Sequence, residues 1–389
     1  MGSLVMGLWN MAMLFLSALF SLQADVLFDQ EFTVLIPEGF PIIDPHIHQW
    51  HLMNTPRILS WPKRLLGWNK PLYETVVTLG ASKADKDYVG GISYVGYDYL
   101  PENYATDRGQ LNISHVVHVE AGWQDTSDFG PVKETQWAAS LFSGRTDPSL
   151  GGIVGRLDLR GSNVDAVLAA HKRASSKLVG IRQMLAWDAD KSIMRFCDQP
   201  KLSEDSKWRA GFDVLATHDL SFDAWFFHHQ LDEMVVLANA YPETTFILGH
   251  MGTPIGLGGE FASYGGSDVA RSRVLGLWQE GMARVAECPN VLVKLSGFFM
   301  PVVGWGYHLR DQQPCLAEVV DDLRPMVEFV VGQFGVDRCM FASNFPMDKV
   351  SMSLGMLYDV YWSLCEGFGD EDRVKLFRDN ARDCYKIEG

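Results

Sequence analysis

Eight short apolar runs recur along this chain, most of them followed by a polar loop and an amphipathic stretch. They fall at residues 42–48, 115–121, 152–159, 178–184, 220–227, 245–250, 291–297 and 339–346. Continuous apolar runs of this length suit strands covered on both faces, and such strands belong to a parallel sheet. Between them lie helical patterns. Residues 163–175 place Val164, Val167, Leu168 and Ala170 on one side, and residues 203–218 open on Ser203 as a cap and carry Trp208, Phe212 and Leu215. Residues 231–240, 274–287, 316–334 and 353–368 read the same way. A strand–helix unit repeated eight times predicts an α/β fold, a (β/α)8 TIM barrel over residues 41–387. The competing fold is an open doubly wound sheet. Against it, no G-x-G-x-x-G follows an early strand, and the reactive residues are spread over many strand ends.

Of the 389 residues, 47% are hydrophobic and 21% charged, which allows one large core. The net charge is −15 and no basic stripe is present, which excludes nucleic acid as a partner. A small carboxylate ligand would need Arg or Lys close by. The six cysteines, Cys197, Cys288, Cys315, Cys339, Cys365 and Cys384, contain no C-x-x-C pair and read as buried thiols, not as a disulfide frame or zinc site. Residues 4–22 are largely apolar, and residues 1–24 have two open readings. One is a signal peptide or anchor, the only route to membrane contact; the other is an apolar extension packed on the domain. No Lys or Arg precedes the run, unlike a typical signal peptide. Compartment therefore stays open between cytoplasm and export. Residues 49–111 are too long for a bare connection and predict an insertion over or beside the barrel mouth. Residues 252–266 are Gly-rich and read equally as a lid or as a mobile surface loop.

Each apolar run ends in something chemically useful. The first ends in His46 and His48, two apart, so both imidazoles aim at one spot. The second carries Glu120, the fourth Arg182, the sixth His250 and the seventh Lys294. The fifth runs into His228 and His229, and the eighth into Asn344 with Asp348 four residues on. In a barrel these ends converge on one mouth. Charges inside barrel strands are costly unless paired or used. Glu120, Arg182 and Lys294 therefore predict a ligand cavity, with a structural ion pair of Glu120 to Arg182 or Lys294 as the alternative. His115 and His118 lie early on the second strand and read as structural.

The set Asp44-Pro45-His46-Ile47-His48, Val119-Glu120-Ala121, Gly180-Ile181-Arg182, His228 before Gln230-Leu231, Gly249-His250-Met251-Gly252 and Phe341-Ala342-Ser343-Asn344-Phe345-Pro346 resembles the amidohydrolase-related family of TIM barrels. It is most similar to the branch of sugar-acid and aromatic dicarboxylate lactonases. Asp379-Asn380-Ala381-Arg382 with Tyr385 matches that family's C-terminal pattern. The resemblance implies a hydrolase that opens a lactone with activated water. It implies His46, His48 and His250 as ligands of one divalent metal such as Zn²⁺, with His228 at the strand-five position. Asn344 stands where the family usually has Asp, and lactonase branches tolerate metal-free sites, so the same resemblance also admits a site without metal. Arg182 stands where two-metal relatives carry a carboxylated Lys.

The resulting expectation is a catalytic group of His46, His48, His228, His250, Glu120 and Asn344. Arg182 would bind a substrate carboxylate or carbonyl, Lys294 or the paired histidines would stabilise the oxyanion, and His228, His250 or Glu120 would take the proton from water; Trp305 reads equally as a pocket wall or as part of a surface loop. Two alternatives remain. A metal-dependent decarboxylase of an aromatic acid would need a firm metal site and a strand-eight carboxylate. A silent barrel that only binds a sugar acid would keep Arg182 and Lys294 without activating water.

Overall fold

The computed structural model describes residues 35–388. Residues 1–24, with their two readings, lie outside the described residues. Eight parallel strands form one sheet in sequence order. They are β1 (Ile42–Ile47), β2 (Ile113–Val119), β3 (Ser149–Arg156), β4 (Leu178–Met184), β5 (Ser221–Trp225), β6 (Phe246–Leu248), β7 (Val291–Leu295) and β8 (Cys339–Phe341). The ring closes where the ends of β1 and β8 meet. Ile47 bridges Phe345, the His48 N–H donates to the Phe345 carbonyl at 2.8 Å, and the Asn344 N–H donates to the His46 carbonyl at 3.0 Å. The chain is a (β/α)8 barrel.

All eight strands fall where apolar runs predict them, but several runs overshoot the ladder. β6 and β8 keep only three residues each. Phe226, Phe227 and Phe345 are fully buried beyond the strand ends, because loops at the mouth also bury apolar side chains. The interior is filled by Ile43, Val117, Val154, Ile247 and Met340, joined by Tyr385 and Ile387 from the C-terminal segment.

The outer helices follow the predicted faces, but their bounds move: Asp268–Ala286 starts six residues before the predicted 274, and Leu354–Leu364 ends four before the predicted 368. The helix Ser206–Leu215 starts three residues after Ser203. Asp205 caps it, accepting from the N–H groups of Lys207 and Trp208. Ser203 is instead buried in a short turn, its Oγ 3.3 Å from Glu233. The helix Gly130–Leu141 after β2 has no counterpart in the sequence reading.

Between β1 and β2 the chain forms five short helices: Ser60–Leu66, Lys70–Gly80, Lys83–Val89, Ile92–Val95 and Pro101–Arg108. The segment is pinned to the β1 end, where Trp50 pairs with Tyr99 and the Trp50 indole donates to the Tyr97 carbonyl at 2.6 Å. The Gly-rich stretch 252–266 is also tied down. Gly256 and Gly258 donate to the carbonyls of Val302 and Val303, each at 2.9 Å, and residues 251–256 are buried. It is a fixed cover in this conformation.

Two helical glycines give opposite expectations. A Cβ on Gly211 would stand 1.9 Å from the Leu159 carbonyl oxygen, whereas one on Gly276 meets nothing within 4 Å. Gly276→Ala is expected to stabilise the protein by about 0.5–1 kcal/mol through helix propensity. Gly211→Ala is expected to destabilise it despite the same propensity gain. Urea unfolding of the two variants checks both signs.

Candidate active site

A register shift between Asp44 and Ile47 interrupts β1 at Pro45. Beyond it, His46 and His48 reach one spot, with their Nε2 atoms 3.1 Å apart. His48 Nδ1 lies 3.0 Å from the Val119 carbonyl, so it carries the hydrogen and leaves Nε2 as acceptor. His250 comes from the turn after β6, its ring centroid 4.8 Å from that of His46. Its backbone is left-handed (φ 53°), as is that of Met251 (φ 50°), a conformation unfavourable for both side chains. Two contacts hold it. The Trp225 ring meets the imidazole edge-on at 5.6 Å, and Ser296 Oγ lies 2.9 Å from Nδ1. Gly297 leaves the room: a Cβ there would come within 2.6 Å of the His250 ring, and its φ is +67°.

Arg182 on β4 is locked onto Glu120. Its Nε donates to Glu120 Oε1 at 2.9 Å and its Nη2 to the Glu120 carbonyl at 3.0 Å. The ion pair left open by the sequence is thus formed with Arg182. Burial opposes the ionised form of Glu120, yet the Arg182 guanidinium beside it holds the carboxyl well below its ordinary range. Lys294 is fully buried under the histidines. Its Nζ donates to Asp223 Oδ2 at 2.7 Å and to His46 Nδ1 at 3.3 Å. The Tyr385 hydroxyl donates to the same Asp223 carboxylate at 2.8 Å. With Lys294 on Nδ1, neutral His46 carries its hydrogen on Nε2 and donates it to His48.

Burial, then the Lys294 cation, keeps His46 far below the usual histidine pKa; burial and Arg182 do the same to His250. His48 is pushed down to about 3, again by burial and Arg182. All three imidazoles are neutral at pH 7. Asn344 (φ 56°) directs its amide to Asp348, with Nδ2 donating to Oδ1 at 3.1 Å. Asp348 is completely buried, its Oδ2 has no hydrogen-bond partner among the described residues, and burial pushes its pKa up to about 8.

The structure gathers His46, His48, His250, Arg182 and Glu120 at the C-terminal ends of their strands, with Lys294 beneath. It does not bring in His228. That ring packs against His229 and Tyr264, Nδ1 accepts from the Ile255 N–H at 3.3 Å, and burial lowers its pKa to about 3. The strand ladder ends at Trp225, and the intervening Phe226-Phe227 carries the histidine away. Trp305 stacks on Tyr307 and sits against Gly258, within the cover over the mouth. Asp223 has no role in the sequence reading, and Tyr385 enters it only through the family's C-terminal pattern. Asp223 had a signal, a carboxylate inside a predicted barrel strand, of the kind that marked Glu120, Arg182 and Lys294. Tyr88, from the insertion helix Lys83–Val89, was not legible at all. It packs over Trp225, which in turn touches His250.

The sequence model of the amidohydrolase family matches residues 43–387. The chain belongs to the amidohydrolase family. This amidohydrolase is 30% identical over 346 residues to uncharacterized protein y4mH of Sinorhizobium fredii, spanning 89% of this chain and 98% of the relative. It is 28% identical over 244 residues to an L-fucono-1,5-lactonase of Burkholderia ambifaria, covering 61% of this chain and 71% of that enzyme. A Burkholderia multivorans amidohydrolase solved with bound HEPES superposes with a TM-score of 0.65 at 20% identity, over 89% of this chain and 99% of that one. A second crystal form of a B. multivorans amidohydrolase, also matched over 89% and 99% (TM-score 0.64, 19% identity), contains zinc.

The residues here do not fit such an ion in the arrangement observed. A metal-bound imidazole donates its second N–H to an acceptor. His48 and His250 satisfy this, with Val119 and Ser296. His46 does not, because its second nitrogen faces the Lys294 ammonium. Asn344 supplies an amide where a carboxylate would complete the set. Among the described residues no three His, Cys, Asp or Glu side chains are grouped to hold a metal ion.

Asp223→Ala would strand the Lys294 ammonium in a dry interior and is expected to cost about 3–5 kcal/mol. Asp223→Ala with Lys294→Met is expected to recover much of that loss. Guanidinium unfolding of the two variants measures the difference.

Proposed function

We propose that this amidohydrolase opens a lactone of a sugar acid or cyclic carboxylic acid. The observation that carries the reading is the buried group itself: an anchored guanidinium, neutral imidazoles and a protonated carboxyl at one barrel mouth. The lactonase relative supports the reaction class.

Nε and Nη2 of Arg182 are occupied by Glu120, so Nη1 is the prong left for the substrate. It binds the lactone carbonyl and stabilises the oxyanion as water adds. His250 has no protein partner at Nε2 and takes the proton from that water. Burial, and after it the Arg182 and Lys294 cations, depress its basicity in the free enzyme; an oxyanion forming on Arg182 offsets the cationic part and raises it. The ring C–O bond then breaks. Asp348, protonated at neutral pH and free at Oδ2, gives its proton to the departing alkoxide. The product is an open hydroxy acid, and the proton held on His250 passes to the Asp348 carboxylate, which restores both groups. Lys294, held by Asp223, positions His46 and through it His48.

A pH-indicator screen of sugar-acid lactones, run beside a CO₂-release assay on aromatic acids, tests the reaction. Acid release without CO₂ is expected, and silence in the first assay ends this reading. Activity is expected to survive dialysis against EDTA. Arg182→Lys keeps a cation beside Glu120 but loses the fork, and kcat/KM is expected to drop about tenfold or more.

The pH profile follows from Asp348. Its working form is the acid, so kcat is expected to fall as pH rises through about 8. Asp348→Asn should lower kcat about 10²-fold and abolish that descending limb. The raised pKa also makes a stability contribution, fully present below the unfolded carboxylate pKa of about 3.9. It is lost as pH rises through about 8, so the stability of Asp348→Asn should change less over that interval.

A further inference from the structure

Residues 53–79 carry eight of the fourteen large apolar side chains exposed among the described residues. Six form two matched rows. Trp61, Leu65 and Trp68 are spaced four and three apart on and just after the helix Ser60–Leu66, and Leu72, Val76 and Leu79 repeat that spacing on Lys70–Gly80. Such spacing puts Trp61 with Leu65, and Leu72 with Val76 and Leu79, each on one helical face, with Trp68 just past the end of the first helix. Trp61, Trp68 and Leu79 are 65%, 79% and 77% exposed. The opposite side of the hairpin is fastened to the protein: the buried Tyr73 donates to the Gly96 carbonyl at 2.8 Å, and Lys63 Nζ lies 3.9 Å from the Tyr97 ring centre.

The charge of this segment runs against that of the chain. From Arg57 to Lys83 five side chains are basic and one, Glu74, is acidic, in a protein of net charge −15. Arg64 and Lys70 are both exposed; one Arg64 nitrogen donates to the Met53 carbonyl at 2.7 Å, and Lys70 Nζ lies 5.7 Å from the Tyr97 ring centre. Apolar patches of this kind mark interaction surfaces.

We propose that this helical hairpin docks on an anionic phospholipid surface. Its six apolar side chains enter the boundary between headgroups and acyl chains, and Arg64 and Lys70 meet the phosphates. Paired tryptophans with neighbouring cations suit that boundary, because indole is apolar with one polar edge and lysine and arginine reach anionic headgroups. A second copy of the chain is the poorer occupant. Two-fold packing would set the patch on itself and bring Arg64 and Lys70 toward their own copies. The local counter-charges are already engaged: Glu74 accepts the Tyr97 hydroxyl at 2.7 Å and Asp98 accepts the Leu52 N–H at 2.6 Å. The lipid surface supplies the missing negative charge.

Cosedimentation of the full chain with phosphatidylcholine vesicles, with and without phosphatidylglycerol, tests this. Binding is expected with phosphatidylglycerol and is expected to weaken at high salt. Trp61→Ser/Trp68→Ser and Arg64→Gln/Lys70→Gln should each bind at least about tenfold more weakly. Their thermal unfolding should match the parent protein, since the altered side chains are exposed. Equal partitioning onto both vesicle types overturns the proposal. So does undiminished binding by both variants, which would move the contact elsewhere, residues 4–22 included. A dimer seen by light scattering that Trp61→Ser/Trp68→Ser converts to monomer would also overturn it, in favour of a second copy.

Discussion

The Lys294–Asp223 ion pair is the constraint on which the centre of this barrel depends. Strands β5 and β7 are not neighbours, and the pair ties them across the interior. Both side chains are out of water, so neither charge is tolerable alone. The pair dictates the hydrogen placement above it. Lys294 occupies His46 Nδ1, His46 then donates through Nε2 to His48, and His48 ends the chain on the Val119 carbonyl. A cation at that one nitrogen turns a histidine pair of metal-binding type into a hydrogen-bond relay.

The cover decides how these groups titrate. Tyr88 from the insertion, Trp225 from β5 and the loops after β6 and β7 pack into one apolar cluster over the mouth. Under it His46, His48, His250, Glu120, Arg182 and Asp348 are each at most 6% exposed. Burial favours neutral forms, so the imidazoles lose their protons and Asp348 keeps one. Only charges with a partner in hydrogen-bond reach stay ionised, as Glu120 does with Arg182. The same exclusion of water strengthens any contact a substrate makes with Arg182.

The barrel was legible because a parallel strand buried on both faces must be apolar throughout, and such runs stand out. Their ends were read too long, since Phe226, Phe227 and Phe345 stay buried after leaving the ladder. Within the site, His46, His48, His250, Arg182 and Glu120 were readable as polar residues closing apolar runs. His228 was readable by the same rule, yet two phenylalanines carry it into a neighbouring shell. Asp223 broke the apolar pattern of its strand as plainly as Lys294 did, but nothing local told which charges would meet. Tyr88 had no pattern at all, because its position depends on how five short helices fold over the mouth.

The order of apolar and polar residues along the chain therefore determined the number of strands, their parallel arrangement and which strand ends carry polar groups. Those features follow from local periodicity and from the cost of burying charge. Tertiary structure alone decided the partners: Lys294 with Asp223 and His46, Arg182 with Glu120, Asn344 with Asp348. Partnership depends on distances of a few ångströms between residues up to about two hundred and fifty positions apart, and those distances exist only once the ring has closed.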